Sequence, residues 1–205
     1  MKEFWDERYA DEAFAYGTEP NVFFAAEIKK SAPGKLLLPA EGEGRNAVFA
    51  AMLGWEVEAV DQSISGKSKA LNLAKQKGVS LDYKIADLND YFPESRRYDL
   101  VALIFAHFPS QLRPQLHQKL ANALKPGGLL ILEGFSKEHL RYNALNPRAG
   151  GPREESLLYS AEELVSDFKE LKIEMLSTEV VILNEGLFHC GESSVLRMIA
   201  RMPMD

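Results

Sequence analysis

The sequence predicts an α/β fold: one doubly wound, mostly parallel, seven-stranded Rossmann-like sheet with an antiparallel hairpin at its C-terminal end. Three observations predict this fold class. Short apolar segments alternate with helical ones up to residue 135, a glycine-rich turn follows the first apolar segment, and the alternation stops after residue 135. Apolar segments without polar interruptions are typical of parallel strands that helices cover on both faces.

Five apolar segments have the length of a strand. They span residues 35–40, 55–61, 81–87, 98–105 and 128–135. Helices are predicted between them over residues 45–53, 65–77 and 109–124, and a Lys-Pro-Gly-Gly stop signal ends the last of these. Such alternation of strands and helices predicts right-handed crossovers and a parallel sheet.

The last third of the chain has a different pattern. A long polar stretch, residues 136–156, leads to a helix whose start is marked by Ser160 and Glu163, the spacing of a capping box. Two strand-like segments follow at residues 172–183 and 193–202. They predict an antiparallel hairpin that closes one edge of the sheet.

The length of 205 residues, with 46% hydrophobic residues, suits one hydrophobic core. We therefore expect a single domain over residues 1–205, in which residues 1–30 form an N-terminal helix and lid segment. Residues 136–156 are predicted to be a second lid. They carry Arg141, Arg148 and Arg153, which would grip an anionic acceptor, although an ordinary solvated connection is the alternative.

Charge and cysteine content limit the classes of partner. The net charge of −6 argues against nucleic acid and anionic membranes, because phosphate binding needs a concentrated basic field. The first thirty residues contain no apolar region typical of a signal peptide, and no later segment has the length of a membrane span. Cys190 is the only cysteine, which fits a reducing cytoplasm. We expect a cytoplasmic monomer or homodimer with a small-molecule partner.

The glycine-rich turn after the first strand carries the strongest motif. Gly42, Gly44 and Ala47 fit the dinucleotide-binding pattern G-x-G-x-x-G/A, and Asp61 ends the next strand. A glutamate on each side of Gly42 does not suit a phosphate, because a pyrophosphate at a helix N-terminus is attracted by amides and repelled by carboxylates.

A cationic ligand without phosphate suits the acidic turn better, and S-adenosylmethionine is such a ligand. It combines a sulfonium, an ammonium group, a ribose diol and an adenine. Asp61 would accept hydrogen bonds from the ribose hydroxyls, and Asp87 or the amide of Leu88, at the end of the third strand, would meet the adenine. Three successive strand ends then point at one nucleoside.

These motifs resemble those of class I S-adenosylmethionine-dependent methyltransferases, in particular the small tellurite-resistance-type and thiopurine-type branch. The likeness spans nearly the whole chain: FWDERY and YGTEPNVFF near the start, the acid before G-x-G, VDQS, LKPGG and LYSAEEL. The resemblance implies S-adenosyl-L-methionine as cofactor and methyl transfer to a small molecule by in-line displacement. It also implies that Tyr9 and Tyr16 lie near the ligand.

The resemblance implies a set of cofactor-binding residues around the strand ends. They are Glu41, Gly42, Gly44, Asp61, Gln62, Ser63, Asp87, Leu88, Phe105 and Ala106. Two features depart from the family pattern. Pro39 stands where an acid is frequent, and the absence of Asn-Pro-Pro-Tyr after strand four argues against methylation of amino groups on bases or glutamine side chains.

Catalysis of methyl transfer depends mainly on positioning, and a base helps when the acceptor is a hydroxyl or a protonated thiol. The candidate catalytic residues are His107 after strand four, His189 in the predicted hairpin turn, and Tyr16. A histidine in a loop is more often structural or solvated. No metal is expected, since the four histidines form no i, i+4 pair and no cysteine cluster exists.

Two other functions remain open at this point. An NAD(P)-dependent oxidoreductase would use the same glycines and Asp61, but the chain has no Tyr-x-x-x-Lys pair. A non-catalytic nucleoside-binding module would have the same fold, because fold does not determine function. The identity of the acceptor is also open among thiols, selenols, tellurite-like oxyanions and small phenols.

Overall fold

The computed structural model describes residues 2–204, and within them a single sheet of seven strands forms the centre of the protein. The strands are β1 (Lys35–Pro39), β2 (Glu56–Asp61), β3 (Asp82–Ile85), β4 (Tyr98–Ile104), β5 (Leu124–Phe135), β6 (Lys172–Glu185) and β7 (His189–Arg201). Their order is β3-β2-β1-β4-β5-β7-β6. The first five pair in parallel, and β7 is antiparallel to both β5 and β6. The predicted fold class is confirmed.

Helices cover both faces of this sheet. They are α1 (Lys2–Arg8), α2 (Val22–Ile28), α3 (Arg45–Met52), α4 (Ile64–Gln76), α5 (Arg113–Ala121), α6 (His139–Leu145) and α7 (Ala161–Asp167). Alternate residues of β1 serve the two faces: Leu36 and Leu38 pack with α2, α3 and α4, whereas Leu37 packs with α5 and α7. Within residues 2–204, no helix is long and apolar enough to cross a membrane.

Three predicted boundaries differ from the structure. The helix predicted over residues 109–124 is shorter, and β5 begins before the Lys-Pro-Gly-Gly signal rather than after it. The polar stretch 136–156 contains α6 and two short 3-10 turns, because Asn143 donates a hydrogen bond to the Gly150 carbonyl (2.5 Å) and His139 is buried. Buried polar side chains of this kind look like surface residues in a sequence.

The hairpin is also longer than predicted, which moves a candidate catalytic residue. Strands β6 and β7 extend until residues 186–188 alone connect them, and Glu185 pairs with His189 across the strands. The sequence suggested that His189 lies in the hairpin turn. In the structure it is instead the first residue of β7. The close approach of the turn to the N-terminal segment requires Gly186, where a Cβ would lie 2.4 Å from the Gly17 amide nitrogen.

Helices α3 and α4 meet at Gly44, the residue that precedes α3. Gly44 has a left-handed backbone (φ 83°), and a Cβ there would lie 2.4 Å from the Cβ of Ala70 on α4. Real Cβ atoms do not approach so closely, so the glycine allows α3 to begin directly against α4. The turn that carries the acidic motif thereby has a fixed position.

We expect Gly44→Ala to lower the free energy of unfolding by about 3 kcal/mol, because left-handed strain and overpacking each cost about 1–2 kcal/mol. Gly78→Ala is the matched control. Gly78 is also left-handed (φ 71°), but in the described part of the chain no heavy atom beyond Gly78 and its two neighbours in sequence lies within 4 Å of the added Cβ. It should cost about 1 kcal/mol. Urea unfolding of both variants measures the difference, and equal losses would show that Ala70 does not constrain Gly44.

Candidate functional site

A cavity of about 1010 Å³ lies at the carboxyl ends of the parallel strands. Its lining includes one residue at or just after each of four neighbouring strands: Glu41 after β1, Asp61 at the end of β2, Asp87 after β3 and Phe105 after β4. Parallel α/β sheets bind their ligands at this edge. The predicted convergence of strand ends on one site is therefore present in the structure.

Glu41 is buried (8% exposed) and caps α3 from the strand side. Its Oε1 accepts a hydrogen bond from the backbone N–H of Ala47 at 2.7 Å. The capping position itself is Gly44, which has no side chain to satisfy the first amides of the helix. Burial raises the pKa of Glu41 to about 7, although the Ala47 amide and the charge of Arg45 oppose the increase.

Asp61 is held rigidly at the end of β2. Its Oδ2 accepts from the Gly42 amide and its Oδ1 from the Ser63 amide, both at 2.9 Å. Each oxygen keeps a second lone pair for a ligand hydroxyl. Burial raises the pKa of Asp61, and the two amides oppose the increase. Gly42 is left-handed (φ 58°), and a Cβ there would lie 2.6 Å from the Tyr9 hydroxyl, so only glycine lets Tyr9 cover the turn.

The second glutamate of the turn, Glu43, fastens the N-terminal segment over the cavity. Its Oε2 accepts from the Ala15 amide at 2.8 Å, and Lys69 of α4 donates to its Oε1 at 2.8 Å. Trp5, Tyr9 and other side chains of this segment line the cavity as a result. The two carboxylates beside Gly42 therefore have different partners: Glu41 caps α3, and Glu43 binds the N-terminal segment and α4. Their spacing in the sequence does not reveal this difference.

The rest of the predicted cofactor set lies mostly at the cavity. Gln62, Asp87, Leu88, Phe105 and Ala106 line it. Ser63 is an exception, because its side chain lies outside the lining and caps α4. Its hydroxyl accepts from the Gly66 amide (3.0 Å) and donates to Asp6 (2.6 Å). Gly42 and Gly44 also lie outside the lining. They shape the turn instead, because the Gly42 amide donates to Asp61 and Gly44 allows α3 to begin against α4.

His107 lines the cavity but has both ring nitrogens engaged. Nδ1 lies 2.7 Å from the Leu157 carbonyl oxygen, which requires a proton on Nδ1, and Nε2 accepts from the Phe135 amide at 3.2 Å. Burial lowers the pKa of His107 to about 3. A general base needs a free ring nitrogen, so His107 would have to break one of these bonds before it could act. This geometry makes it a poor base.

His189 also lines the cavity and is almost fully buried (5% exposed). Its Nδ1 lies 3.2 Å from Oε2 of Glu185, and within residues 2–204 no hydrogen bond engages its Nε2. Burial lowers the pKa of His189, and Glu185 opposes the decrease. A neutral imidazole with one free nitrogen is thus available to a molecule in the cavity.

Tyr16 lies beside His189, with 4.5 Å between the ring centroids. Its hydroxyl accepts a hydrogen bond from Arg8 at 3.3 Å, and burial raises the pKa of the phenol. Tyr16 is therefore protonated at neutral pH. The structure places this candidate in the cavity lining together with Arg8, a residue that the sequence gave no reason to select.

The second predicted lid contributes less charge than expected. All three arginines are exposed, and of them Arg153 lines the cavity whereas Arg141 and Arg148 do not. Asn143, Gly150 and Gly151 also reach the cavity. The sequence also missed Glu185, which lies opposite His189 in the hairpin; placing the turn at Gly186 would have revealed the pair.

A family model described as a methyltransferase domain matches residues 39–128, somewhat less than half of the chain. This range holds the glycine-rich turn and the acids at the ends of β1, β2 and β3. A comparison with curated proteins finds no match.

Three solved structures similar to this chain cover 83–100% of it. One, from work on the conversion of a disulfide bond into a thioacetal group during echinomycin biosynthesis, has a TM-score of 0.81 and 21% identity, and covers 100% of this chain and 93% of its own. TehB from Haemophilus influenzae has a TM-score of 0.71 and 16% identity, and the match covers 98% of this chain and 66% of the TehB chain. An S-adenosylmethionine-dependent methyltransferase from Methanosarcina mazei has a TM-score of 0.62 and 15% identity, and the match covers 83% of this chain and 93% of the other. The chain therefore has the Rossmann-like methyltransferase fold, and its residues 39–128 match the methyltransferase domain.

Proposed function

We propose that this protein is an S-adenosylmethionine-dependent methyltransferase that acts on a small-molecule acceptor. The observation that carries the proposal is the hydrogen bond from the Ala47 amide to Glu41. In dinucleotide-binding proteins the pyrophosphate lies at the N-terminus of this helix. Here a carboxylate of the chain itself takes that amide, so a phosphate would meet a negative charge and a cationic ligand would be attracted.

The residues around the cavity fit the parts of the cofactor. Asp61 suits the ribose diol, Glu41 the ammonium end of the methionine part, and Asp87 with the Leu88 amide the adenine edge. When bound, the cofactor supplies a methyl group on a cationic sulfur, which an acceptor takes by in-line displacement. Phe105, after β4, lines the cavity and would lie near the transferred methyl group.

On this proposal the protein works in the cytoplasm, as a monomer or homodimer, and belongs to the tellurite-resistance and thiopurine-type branch. The single cysteine supports the first point. Support for the branch comes from the N-terminal segment, since Tyr9 and Tyr16 reach the cavity as the resemblance implies. An oxidoreductase is disfavoured, because Glu41 lies where its dinucleotide phosphates would bind.

Calorimetric titration with S-adenosylhomocysteine tests the proposal directly, with NADH as the control ligand. We expect micromolar binding of S-adenosylhomocysteine and no measurable binding of NADH, because of the carboxylate at α3. Binding of NADH alone would show that the acidic turn accepts a dinucleotide. Binding of S-adenosylhomocysteine without turnover of any acceptor would favour a nucleoside-binding module.

Asp61→Asn should weaken the binding of S-adenosylhomocysteine by about 10- to 100-fold, since a hydrogen bond to a charged group contributes about 1.5–3 kcal/mol. Asparagine keeps the size of the side chain, but it has one acceptor oxygen where Asp61 uses two. The matched control is Asp82→Asn at the exposed start of β3, which should leave the affinity unchanged. Equal affinities of Asp61→Asn and wild type would remove Asp61 from the site.

Binding of the cofactor should also depend on pH through Glu41. Its pKa is about 7 in the free protein, and a cationic group beside the carboxylate would lower the pKa. Affinity for S-adenosylhomocysteine, which keeps the ammonium group, should therefore increase as the pH rises from 6 to 8, and binding at pH 7 should release about half a proton from Glu41. Calorimetry in buffers of different ionisation enthalpy measures this release.

Glu41→Gln is the control for that pH dependence. It retains an oxygen for the Ala47 amide but cannot titrate, so its affinity for S-adenosylhomocysteine should be weaker and should not change between pH 6 and 8. An unaltered proton release in Glu41→Gln would assign the titration to another group.

A further inference from the structure

The hairpin side of the cavity is lined by aromatic rings that surround His189. Tyr16 and Phe105 lie 4.5 Å from the His189 ring, and Phe135 lies 5.2 Å away, measured between centroids. Phe188 also lines the cavity and lies 6.2 Å from Tyr16. We call these four side chains the aromatic compartment. Aromatic rings at such distances pack edge-to-face or offset, so the compartment suits a flat aromatic molecule.

His189 differs from the other three histidines in having a free nitrogen at the cavity. His107 uses both nitrogens on backbone groups. His139 does the same, with Nε2 at 2.9 Å from the Gly150 carbonyl and Nδ1 accepting from the Ser194 amide at 3.3 Å. His117 has a free Nε2, but that atom is buried and the residue does not line the cavity.

A chain of buried polar groups fixes the orientation of His189. Glu185 faces Nδ1, and its other contacts are the Arg45 guanidinium at 2.7 Å and the Asn21 side-chain amide at 3.1 Å. Burial raises the pKa of Glu185, but the hydrogen bond of His189 and the charge of Arg45 outweigh it and lower this pKa to about 2. Glu185 is therefore ionised and accepts from Nδ1–H. The proton on Nδ1 leaves Nε2 as the acceptor.

The electrostatic surroundings keep His189 neutral. Arg45 and Glu185 form an ion pair in which both side chains are buried. Because Arg45 already neutralises the charge of Glu185, the carboxylate orients the imidazole without making it a permanent cation. Burial lowers the pKa of His189 despite Glu185. The titratable and charged groups that face it from the surrounding elements are Glu185, Arg45, Tyr16, His139 and His107.

The following inference rests on the proposed function. We propose that the methyl acceptor is a planar phenol bound in the aromatic compartment, and that Nε2 of His189, positioned by Glu185, takes the phenolic proton. The oxygen lone pair forms the bond to the methyl carbon, the bond from that carbon to the sulfonium breaks, and its electron pair stays on sulfur. The products are an aryl methyl ether, S-adenosylhomocysteine and a proton on His189 that passes to water.

The acidity of the acceptor distinguishes a phenol from other acceptors. A phenol has a pKa of about 10, so it is protonated at neutral pH and gains from a base, whereas a thiol, with a pKa of about 8.5, is already partly ionised. An aliphatic alcohol is too weak an acid for a neutral imidazole to assist efficiently. The His189–Glu185 pair therefore fits a phenol best.

The first experiment observes binding and needs no turnover. Nitrogen NMR of the full chain, labelled at histidine and saturated with S-adenosylhomocysteine, gives ring signals for its four histidines, and single His→Asn variants assign them. Addition of 4-methylphenol should shift the Nε2 signal of His189 and leave that of His117 unchanged. Cyclohexanol, of similar size but neither flat nor acidic, is the control and should cause no shift.

The second experiment compares acceptors of different acidity. His189→Asn should lower kcat for 4-methylphenol by about 100- to 10,000-fold, the usual contribution of a general base. For 4-nitrophenol at pH 8.5, where that phenol is mostly ionised, the loss should be less than about tenfold. Glu185→Gln should reduce kcat for 4-methylphenol by at least about tenfold, because the imidazole loses its fixed tautomer. The loss of kcat should be smaller in Glu185→Asp, which keeps a carboxylate.

The outcomes separate this inference from the proposed function. Failure to bind S-adenosylhomocysteine would contradict the proposed function itself. Binding of S-adenosylhomocysteine, with no shift of His189 by 4-methylphenol or with an equal shift by cyclohexanol, would overturn the phenol site alone. Equal losses of His189→Asn on both phenols would make His189 structural, and turnover of an aryl thiol but no phenol would reject the acceptor class.

Discussion

The hydrogen bond between the Glu41 carboxylate and the Ala47 amide is the constraint on which the site depends. A helix that begins behind a glycine has free amides at its N-terminus, and these attract an anion. In this protein the anion comes from the end of β1. The helix is capped, and the carboxyl group is kept in a buried position beside the turn. The contact that starts α3 thus also places a carboxylate at the wall of the cavity.

Buried polar contacts also join the outlying segments to the sheet. Asn21 caps α2 with its Oδ1 and donates from its side-chain nitrogen to Glu133 on β5 (2.7 Å) and Glu185 on β6 (3.1 Å). Arg197 of β7 also pairs with Glu133. Such a network is costly unless every member has a partner, and when satisfied it selects one arrangement of the segments. The N-terminal segment and the hairpin therefore meet the cavity in a defined geometry.

Much of this structure could be predicted from local sequence. The parallel strands were recognisable because a strand covered by helices on both faces has a continuous apolar sequence. Asp61 was recognisable as a strand-end residue because the apolar segment of β2 ends there. Glu163, three residues after Ser160, correctly marked the start of α7 through its capping box. These features depend on neighbours in the chain, so a sequence pattern contains them.

The parts that could not be predicted depend on contacts between distant residues. Helix α6 looked like a polar loop because the burial of His139 comes from packing against Phe135 and from the Gly150 carbonyl. His107 looked equivalent to His189 until the amide of Phe135 and the carbonyl of Leu157 were seen to occupy its nitrogens. A histidine's capacity as a base is decided by such partners, and they leave no local trace in the sequence.

The two glutamates of the acidic turn make contacts in different directions. Glu41 faces α3 and the cavity, whereas Glu43 holds Ala15 and Lys69 and so keeps the N-terminal segment over the cavity. Gly42 between them is the point where Tyr9 comes closest. A ligand in the cavity would lie beneath Tyr9 and beside both acids. The N-terminal segment that lines the cavity is thus fastened by the same turn that supplies both glutamates.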